Sequence, residues 1–348
     1  MKNGRLSPFR VASLYVGTVV GAGFASGQEV LQFFGHHGMS GFWGLAIATV
    51  LFVVFGAMTF VLGHRLRATS HLEVVQHGGG SWLGTVIDAM ITFFLLGSFS
   101  AMAAGAGAVF HEQFGLPAVL GSLALSTLSV LTVLMGIQGV VSAISFVAPF
   151  LIGSVLLISA FSIAQNPIDW NWYQPQSASV PFWPLAAIIY ASYNMVFAIP
   201  ILAPAGTLSD EHSLKKGALF GGIGLGLAAL IIQLGMLSAM PEASRYDVPM
   251  LLLASRVFGA FAPIYSIVLL AEVYTTAIGS LYGFVARVTA GNKALFSVAT
   301  LGTGLVGFTG SLIGFSNIVG KVYTAIGYAG ICLLIPLVAA SVKSQGSR

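Results

Sequence analysis

The side chains of this chain that could do chemistry are few, because only 7% of its 348 residues are Asp, Glu, Lys or Arg. Glu272 is the most informative of them. It stands in the apolar stretch LLAEVYTTAIGS, ~16 Å of helix in from residue 261. A carboxylate that deep in a bilayer costs ~2.5 kcal/mol or more, so it lines a cavity or has a partner. Thr275 and Thr276 follow at i+3 and i+4, on the same helix face. Glu272 could ligate a cation, carry a proton, anchor an amine, or stay protonated and hydrogen-bonded between helices. Glu29 follows a glycine-rich stretch, YVGTVVGAGFASGQEV. It could complement the positive end of a half-helix, attract an entering cation, or stand solvated in a vestibule. Lys321 and Asp88 each lie within ~10 Å of the end of an apolar run and can reach an interface. Lys321 joins Glu29 as a gating or vestibule candidate. His36 and His37 lack metal-ligand spacing and read as solvated loop residues.

Other chemistries are excluded more firmly. The chain has no HExxH zinc pair, no P-loop and no Ser–His constellation, so neither metalloprotease nor ATP-driven chemistry is expected. Its single cysteine, Cys332, permits no intramolecular disulfide. We expect no enzyme, no metal other than a possible sodium ion, and no other cofactor.

The elements that must position these residues are membrane helices. Apolar residues make up 57% of the chain and mean hydropathy is +0.93, whereas a soluble domain carries roughly 25% charged residues. A span needs roughly 20 apolar residues. Ten runs meet that demand, near 9–34, 41–63, 83–110, 117–136, 140–164, 182–206, 214–239, 261–289, 294–313 and 317–341. The run 247–259 is too short to cross and reads as an outer-loop helix. With the N-terminus inside, Lys2, Arg5, Arg10, Arg65, Arg67, Lys215, Lys216, Arg287, Lys293, Lys343 and Arg348 gather on the inner side. Only Arg245 and Arg256 fall outside. Trp170, Trp172, Tyr173 and Trp183 supply an outer aromatic belt. The expectation is a multi-pass protein of a bacterial inner membrane with both termini cytoplasmic. Its net charge of +4 then reflects loop asymmetry, and nucleic acid is not expected as a partner.

Five spans per half would make 9–165 and 181–342 inverted repeats within one transmembrane domain, 1–348, an architecture that binds solutes at the midplane between discontinuous helices. The first span carries Gly17, Gly21, Gly23 and Gly27, each costing up to ~1 kcal/mol in a helix relative to alanine. Those glycines mark either a break or close packing through small-xxx-small contacts. The sixth span holds the polar group Tyr190, Ser192, Tyr193 and Asn194, then Pro200 and Pro204. This matching interruption favours breaks in both helices, with backbone groups turned toward a ligand.

The string GTVVGAGFASGQE, within the ten-span layout, resembles the YkvI-like membrane proteins of the amino acid/polyamine/organocation superfamily, and the resemblance covers nearly the whole chain. It implies an all-α leucine-transporter fold with ten transmembrane helices, a 5+5 inverted repeat, broken helices one and six, and alternating access. It also implies that amino acids or related amines are the default substrates. In sodium-coupled members of that fold one cation site uses carbonyls of helix one and hydroxyls of helix eight. Carried over, these are the carbonyls of Gly17 and Val20 and the hydroxyls of Thr275 and Thr276. The fifth span lacks the lysine that some proton-coupled relatives place there.

The resulting expectation is a secondary transporter of a small solute within the lipid bilayer, driven by sodium or protons. Gly21, Ala22, Gly23, Phe24, Ala25 and Ser26 would hold the solute, in part through backbone amides, and Tyr190, Ser192, Tyr193 and Asn194 would complete the pocket. A channel or sensor using the same fold is the alternative.

Overall fold

The computed structural model describes residues 6–68, 70–135, 153–257, 261–289 and 292–346. Among the described residues, seven helices are long and apolar enough to cross a membrane. They are α4 (Met39–Leu66), α5 (His71–Phe114), α8 (Trp183–Ala205), α9 (Glu211–Leu237), α11 (Phe261–Thr289), α12 (Lys293–Ser311) and α14 (Thr324–Gly346). Two more, α6 (Ala118–Leu134) and α7 (Gly153–Gln165), are apolar but shorter. The expected first span is three pieces: α1 (Pro8–Val19), α2 (Ala22–Ala25) and α3 (Gln28–Phe33). The loop helix is α10 (Pro249–Val257), and α13 (Phe315–Asn317) leads through a π-turn, Ile318–Tyr323, into α14. Much of the fifth expected run, 140–164, and the end of 247–259 lie outside the described residues.

The third expected span, 83–110, lies within α5, which begins earlier, at His71, where a reciprocal Ser70–Glu73 cap starts it, and bends at Gly80 (φ 80°). The break expected in the sixth span is not found, because α8 runs unbroken through Tyr190–Asn194. Three of its four polar side chains find partners without any loss of helix, and the buried Tyr190 hydroxyl has none among the described residues. Ser192 Oγ donates to the Gly327 carbonyl of α14 (2.8 Å), Asn194 Nδ2 to the Tyr190 carbonyl (2.9 Å), and Tyr193 Oη reaches Glu29. Pro204 falls in the last turn and Pro200 is carried inside the helix.

The bundle is held by small residues where helices cross. A methyl group on Gly63 of α4 would come within 1.9 Å of the Ala203 carbonyl oxygen of α8. Gly217 and Gly221 of α9 receive Val11 and Tyr15 of α1, and Tyr15 Oη donates to the Phe52 carbonyl (2.8 Å). Outward, Leu123, Leu131, Leu301 and Leu305 are exposed, as a lipid-facing wall requires. Polar ties gather the helix ends into two faces. On the N-terminal face Arg65 pairs with Glu211 (2.9 Å) and bonds Ser344 Oγ (2.9 Å), and Arg287 pairs with Asp88 (2.6 Å). On the opposite face Gln174 N donates to the His36 carbonyl (2.9 Å) and Gln233 Nε2 to the Gly38 carbonyl (3.1 Å). That packing buries His36 and His37, expected to be solvated. The segment before α8 folds over them, and the Val180 carbonyl lies 3.0 Å from His37 Nε2.

Crossing glycines and cavity glycines should therefore behave oppositely. Gly63→Ala is expected to cost ~1–3 kcal/mol through overpacking, while Gly17→Ala, whose methyl meets nothing within 4 Å, should leave stability equal or higher. Apparent melting temperatures of the two purified variants, measured side by side, check this.

Candidate functional site

The site begins with an interrupted helix. After Val19 the chain turns extended at Val20 (φ −72°, ψ 109°) and Gly21 (φ −124°, ψ −173°). One turn later Gly27, at φ 79°, ends α2 and starts α3 in a conformation that favours glycine. Among the described residues no backbone amide reaches the carbonyls of Gly17, Thr18, Val19 or Val20. A Cβ on Gly17 or Gly21 would meet nothing within 4 Å. Those two glycines therefore border open space and serve no close helix contact, which decides between the two readings left by the sequence.

That open space is a cavity of ≈ 320 Å³. The break supplies Gly17 through Gly23, with Glu29 behind it. From α5 come Leu95, Ser98 and Met102, and from α8 come Tyr193, Asn194, Phe197 and Ile201. From α11 come Glu272, Thr275, Thr276, Gly279 and Ser280, and Tyr323 closes one side. The lining runs from the break toward the N-terminal face, since it includes the last residues of α1 and the later turns of α8 and α11. Toward the opposite face the way is closed. Tyr265 Oη donates to the Ala25 carbonyl (2.5 Å), and Met250 N of α10 donates to the Ser26 carbonyl (3.1 Å).

Two buried carboxyls face this cavity, and no Lys, Arg or His among the described residues lines it. Glu29 accepts a hydrogen bond from Tyr193 Oη at 2.5 Å. It also packs so tightly on Gly23 that a Cβ there would lie 2.1 Å from Oε1, so only glycine admits the carboxyl at this point. Tyr193 is fixed by neighbouring rings, with centroids of Phe33, Tyr190 and Tyr323 at 5.5, 5.5 and 5.3 Å. Glu272 has no hydrogen-bond or ion-pair partner for its carboxyl among the described residues. Beside it Thr275 Oγ1 donates to the Glu272 carbonyl (2.9 Å), which leaves its lone pairs free. Carboxylate, hydroxyl and carbonyl oxygens in such a setting suit a hard cation or an ammonium group.

The structure brings together Gly17, Val20, Gly21, Ala22, Gly23, Glu29, Tyr193, Asn194, Glu272, Thr275 and Thr276. It leaves out Phe24, Ala25, Ser26, Tyr190, Ser192 and Lys321. The amides of Ala25 and Ser26 are spent on the Gly21 and Ala22 carbonyls (3.0 and 2.8 Å), so they are not bare as the sequence reading had them. Tyr190 is packed among Phe33, Phe34 and Phe52. Ser192 points to α14, and the Lys321 side chain is exposed. Glu29, read as a vestibule residue, is instead 5% exposed and part of the cavity wall. Sequence reasoning missed Gly279 and Ser280, although helical spacing from Glu272 and Thr276 points to them. It also missed Ser98, which bonds Ser280 (3.0 Å), and Tyr323, for which no local signal exists.

Removing the Tyr193 hydroxyl would strand a buried carboxyl. Tyr193→Phe is expected to destabilise the protein by ~1–3 kcal/mol. In a double-mutant cycle with Glu29→Gln the two should couple by ~0.5–3 kcal/mol. Additive effects in chemical unfolding would show that the contact carries no energy.

No family model matches the chain. Among solved structures it resembles the inward-facing conformation of Mhp1 (TM-score 0.65, 14% identity, 97% of this chain and 76% of that one). MhsT in complex with L-phenylalanine is similar too (TM-score 0.63, 16% identity, 95% and 91%). So is a Na+-coupled sialic acid symporter in a substrate-bound outward-open state (TM-score 0.62, 12% identity, 94% and 79%). At such identities these likenesses give the fold alone, the leucine-transporter fold. In sequence, the chain is 26% identical over 338 residues to the protein YyaD of Bacillus subtilis (strain 168), across 95% of this chain and 96% of that one. It is 32% identical over 343 residues to the membrane protein YkvI of the same organism, across 96% of both chains. The chain belongs to the family of membrane proteins that includes YkvI.

Proposed function

We propose that this protein is a secondary active transporter of a small solute bearing a positive charge, an amine or amino acid, coupled to sodium or protons by alternating access. The observation that carries this reading is the cavity at the helix break, walled by two buried carboxyls and, among the described residues, no basic side chain. Inside a membrane such a site is stable only with a cation, a proton or an ammonium group to offset it. For sodium the proposed ligands are the carbonyls of Gly17 and Val20 and the hydroxyls of Thr275 and Thr276, with Glu272 adjacent. The Thr276 hydroxyl makes no hydrogen bond to a described residue and is free to ligate. For the solute, Glu29 would take the ammonium group, and Asn194 Oδ1 with the Gly21–Gly23 backbone would take polar groups beside it.

In this reading α6, α7 and the interrupted first helix complete ten crossings arranged as a 5+5 inverted repeat. The N-terminal face, which carries Arg65, Lys215, Arg287 and Lys343, is cytoplasmic, and the membrane is the bacterial cytoplasmic membrane. The cavity then opens inward. A cavity approached from one face and sealed at the other by Tyr265 and Met250 suits alternating access better than a channel, which needs both ends open.

The test is thermal stability of the purified protein against a panel of amino acids and amines, each in sodium and in choline. A ligand at 100 times its dissociation constant adds about 2.7 kcal/mol. We expect one or more ammonium-bearing ligands to stabilise the protein more in sodium, and Glu272→Gln or Thr276→Val to remove the sodium dependence. Stabilisation that ignores sodium but follows pH would overturn the sodium site and make Glu272 the proton carrier. A panel with no stabilising member would overturn the assigned substrate class.

A further inference from the structure

A second cavity, ≈ 460 Å³, lies on the opposite face and is separate from the first. Its walls come from four places distant in sequence. Gln28, Gln32 and His36 belong to α3 and the turn after it, Trp172, Gln174 and Ser177 to the segment before α8, Pro241, Ser244, Arg245 and Tyr246 to the segment before α10, and Ser316 to α13. The lining is mostly polar, unlike the lipid-facing grooves between helices.

Three of the eight buried side-chain polar atoms that lack a hydrogen-bond partner among the described residues belong to this one wall. They are Gln28 Oε1, His36 Nδ1 and Trp172 Nε1. The parent side chains are 1%, 4% and 8% exposed, so bulk water does not satisfy them. Buried polar groups are almost always paired, and a cluster of exceptions asks for an explanation. Chemistry defines what would pair them. Trp172 Nε1–H is a donor only and needs an acceptor, whereas Gln28 Oε1 is an acceptor only and needs a donor. Burial and the nearby His37 lower the His36 pKa to about 4, so its ring is neutral near pH 7 and offers one donor and one acceptor. At the rim, Arg245 is exposed and makes no ion pair with a described residue. Its guanidinium is a two-pronged match for a carboxylate.

We propose that this pocket is a second binding site, distinct from the central cavity, for a small zwitterion whose carboxylate meets Arg245 and the Trp172 indole and whose ammonium meets Gln28 Oε1. The site stands on its own lining and does not depend on the transport reading. Its position does give it a relation to the cavity. Gln28 Nε2 donates to Ser316 Oγ (2.7 Å), and Ser316 in turn bonds the Asp247 carboxylate. Glu112 of α5 accepts the Asp247 and Val248 amides (2.5 and 3.1 Å), which fixes the segment that carries Arg245. The acceptor for the ammonium group is thus held still by the network that closes this face.

The experiment is equilibrium binding to the full-length protein in lipid nanodiscs, using radiolabelled L-alanine, L-leucine and L-phenylalanine as probes. Unlabelled competitors are their amides, which lack the carboxylate, and their decarboxylated amines. Arg245→Gln removes an exposed side chain and should leave the fold intact, and Trp172→Phe keeps most of the ring packing while deleting the N–H. We expect a probe to bind with a component weakened about tenfold or more by either variant, the loss of one charge-assisted contact. Amides and amines should compete poorly for that component. Glu272→Gln should leave it unchanged, and a component sensitive to Glu272→Gln but not to Arg245→Gln would report the central cavity separately. The proposal is overturned if no probe binds, if both outer variants bind every probe as the parent does, or if amides compete as well as the zwitterions. A loss of central-cavity binding with the Arg245-sensitive component intact would instead sink the transport reading alone.

Discussion

Everything in this structure follows from a stretch of backbone that gives up its helix where water cannot repair the loss. Between Val19 and Ala22 the i→i−4 ladder stops, and the carbonyls of Gly17 to Val20 are left without amide donors among the described residues. In a bilayer such groups are tolerated only beside a cavity or a bound ligand. The surrounding helices supply the cavity. They present oxygen-bearing side chains from α8 and α11 across from the break, and they keep the crossings elsewhere tight with glycine, as at Gly63 against Ala203. The open region is thereby confined to the one place that needs it.

The two carboxyls solve the same problem of burial in different ways. Glu29 is partly provided for by protein. Tyr193 donates to it, a shell of aromatic rings holds Tyr193 in place, and the absence of a side chain at Gly23 makes room for the carboxyl. Glu272 has hydroxyls near it but no partner for its own oxygens among the described residues. A group with one oxygen already bonded can select a ligand by shape and by a single additional contact at the other. One left unsatisfied changes its energy most when a cation or proton arrives, and that is the property coupling requires. The division of labour assigned to the two residues rests on this difference.

The membrane class, most of the helices and the first break were legible in the sequence because each has a local cause. Apolar runs of sufficient length demand spans, and glycines at 17, 21, 23 and 27 weaken a helix wherever it lies. Glu272, Thr275 and Thr276 were legible because 3.6-residue spacing fixes their common face whatever the neighbours do. What could not be read was anything decided by a partner far along the chain. The polar group of α8 looked like a break because its partners, Gly327 and Glu29, are 135 and 164 residues away. His36 and His37 looked solvated because the segment that covers them, around Trp172 and Val180, is equally remote. Tyr323 carries no signal of its own, and only packing against Tyr193 makes it part of the wall.

The short helix α3 connects these levels. Gln28 and Glu29 are adjacent, and one serves the face opposite the N-terminal one while the other serves the cavity, through Ser316 and Tyr193 respectively. Both ride on six residues bounded by Gly27, in the left-handed region, and by the turn at Gly35–His37. The seal toward the opposite face, Tyr265 on Ala25 and Met250 on Ser26, grips the piece just before them. Opening that face must break those two contacts, and the chain released is the one carrying Glu29. The cavity's better-satisfied carboxyl therefore cannot keep its present geometry while that face opens. Tyr193, anchored on the unbroken α8, stays behind unless the whole helix follows. Under the proposed alternating access, continuity of α8 would give the first helix a rigid partner against which to exchange one set of contacts for another.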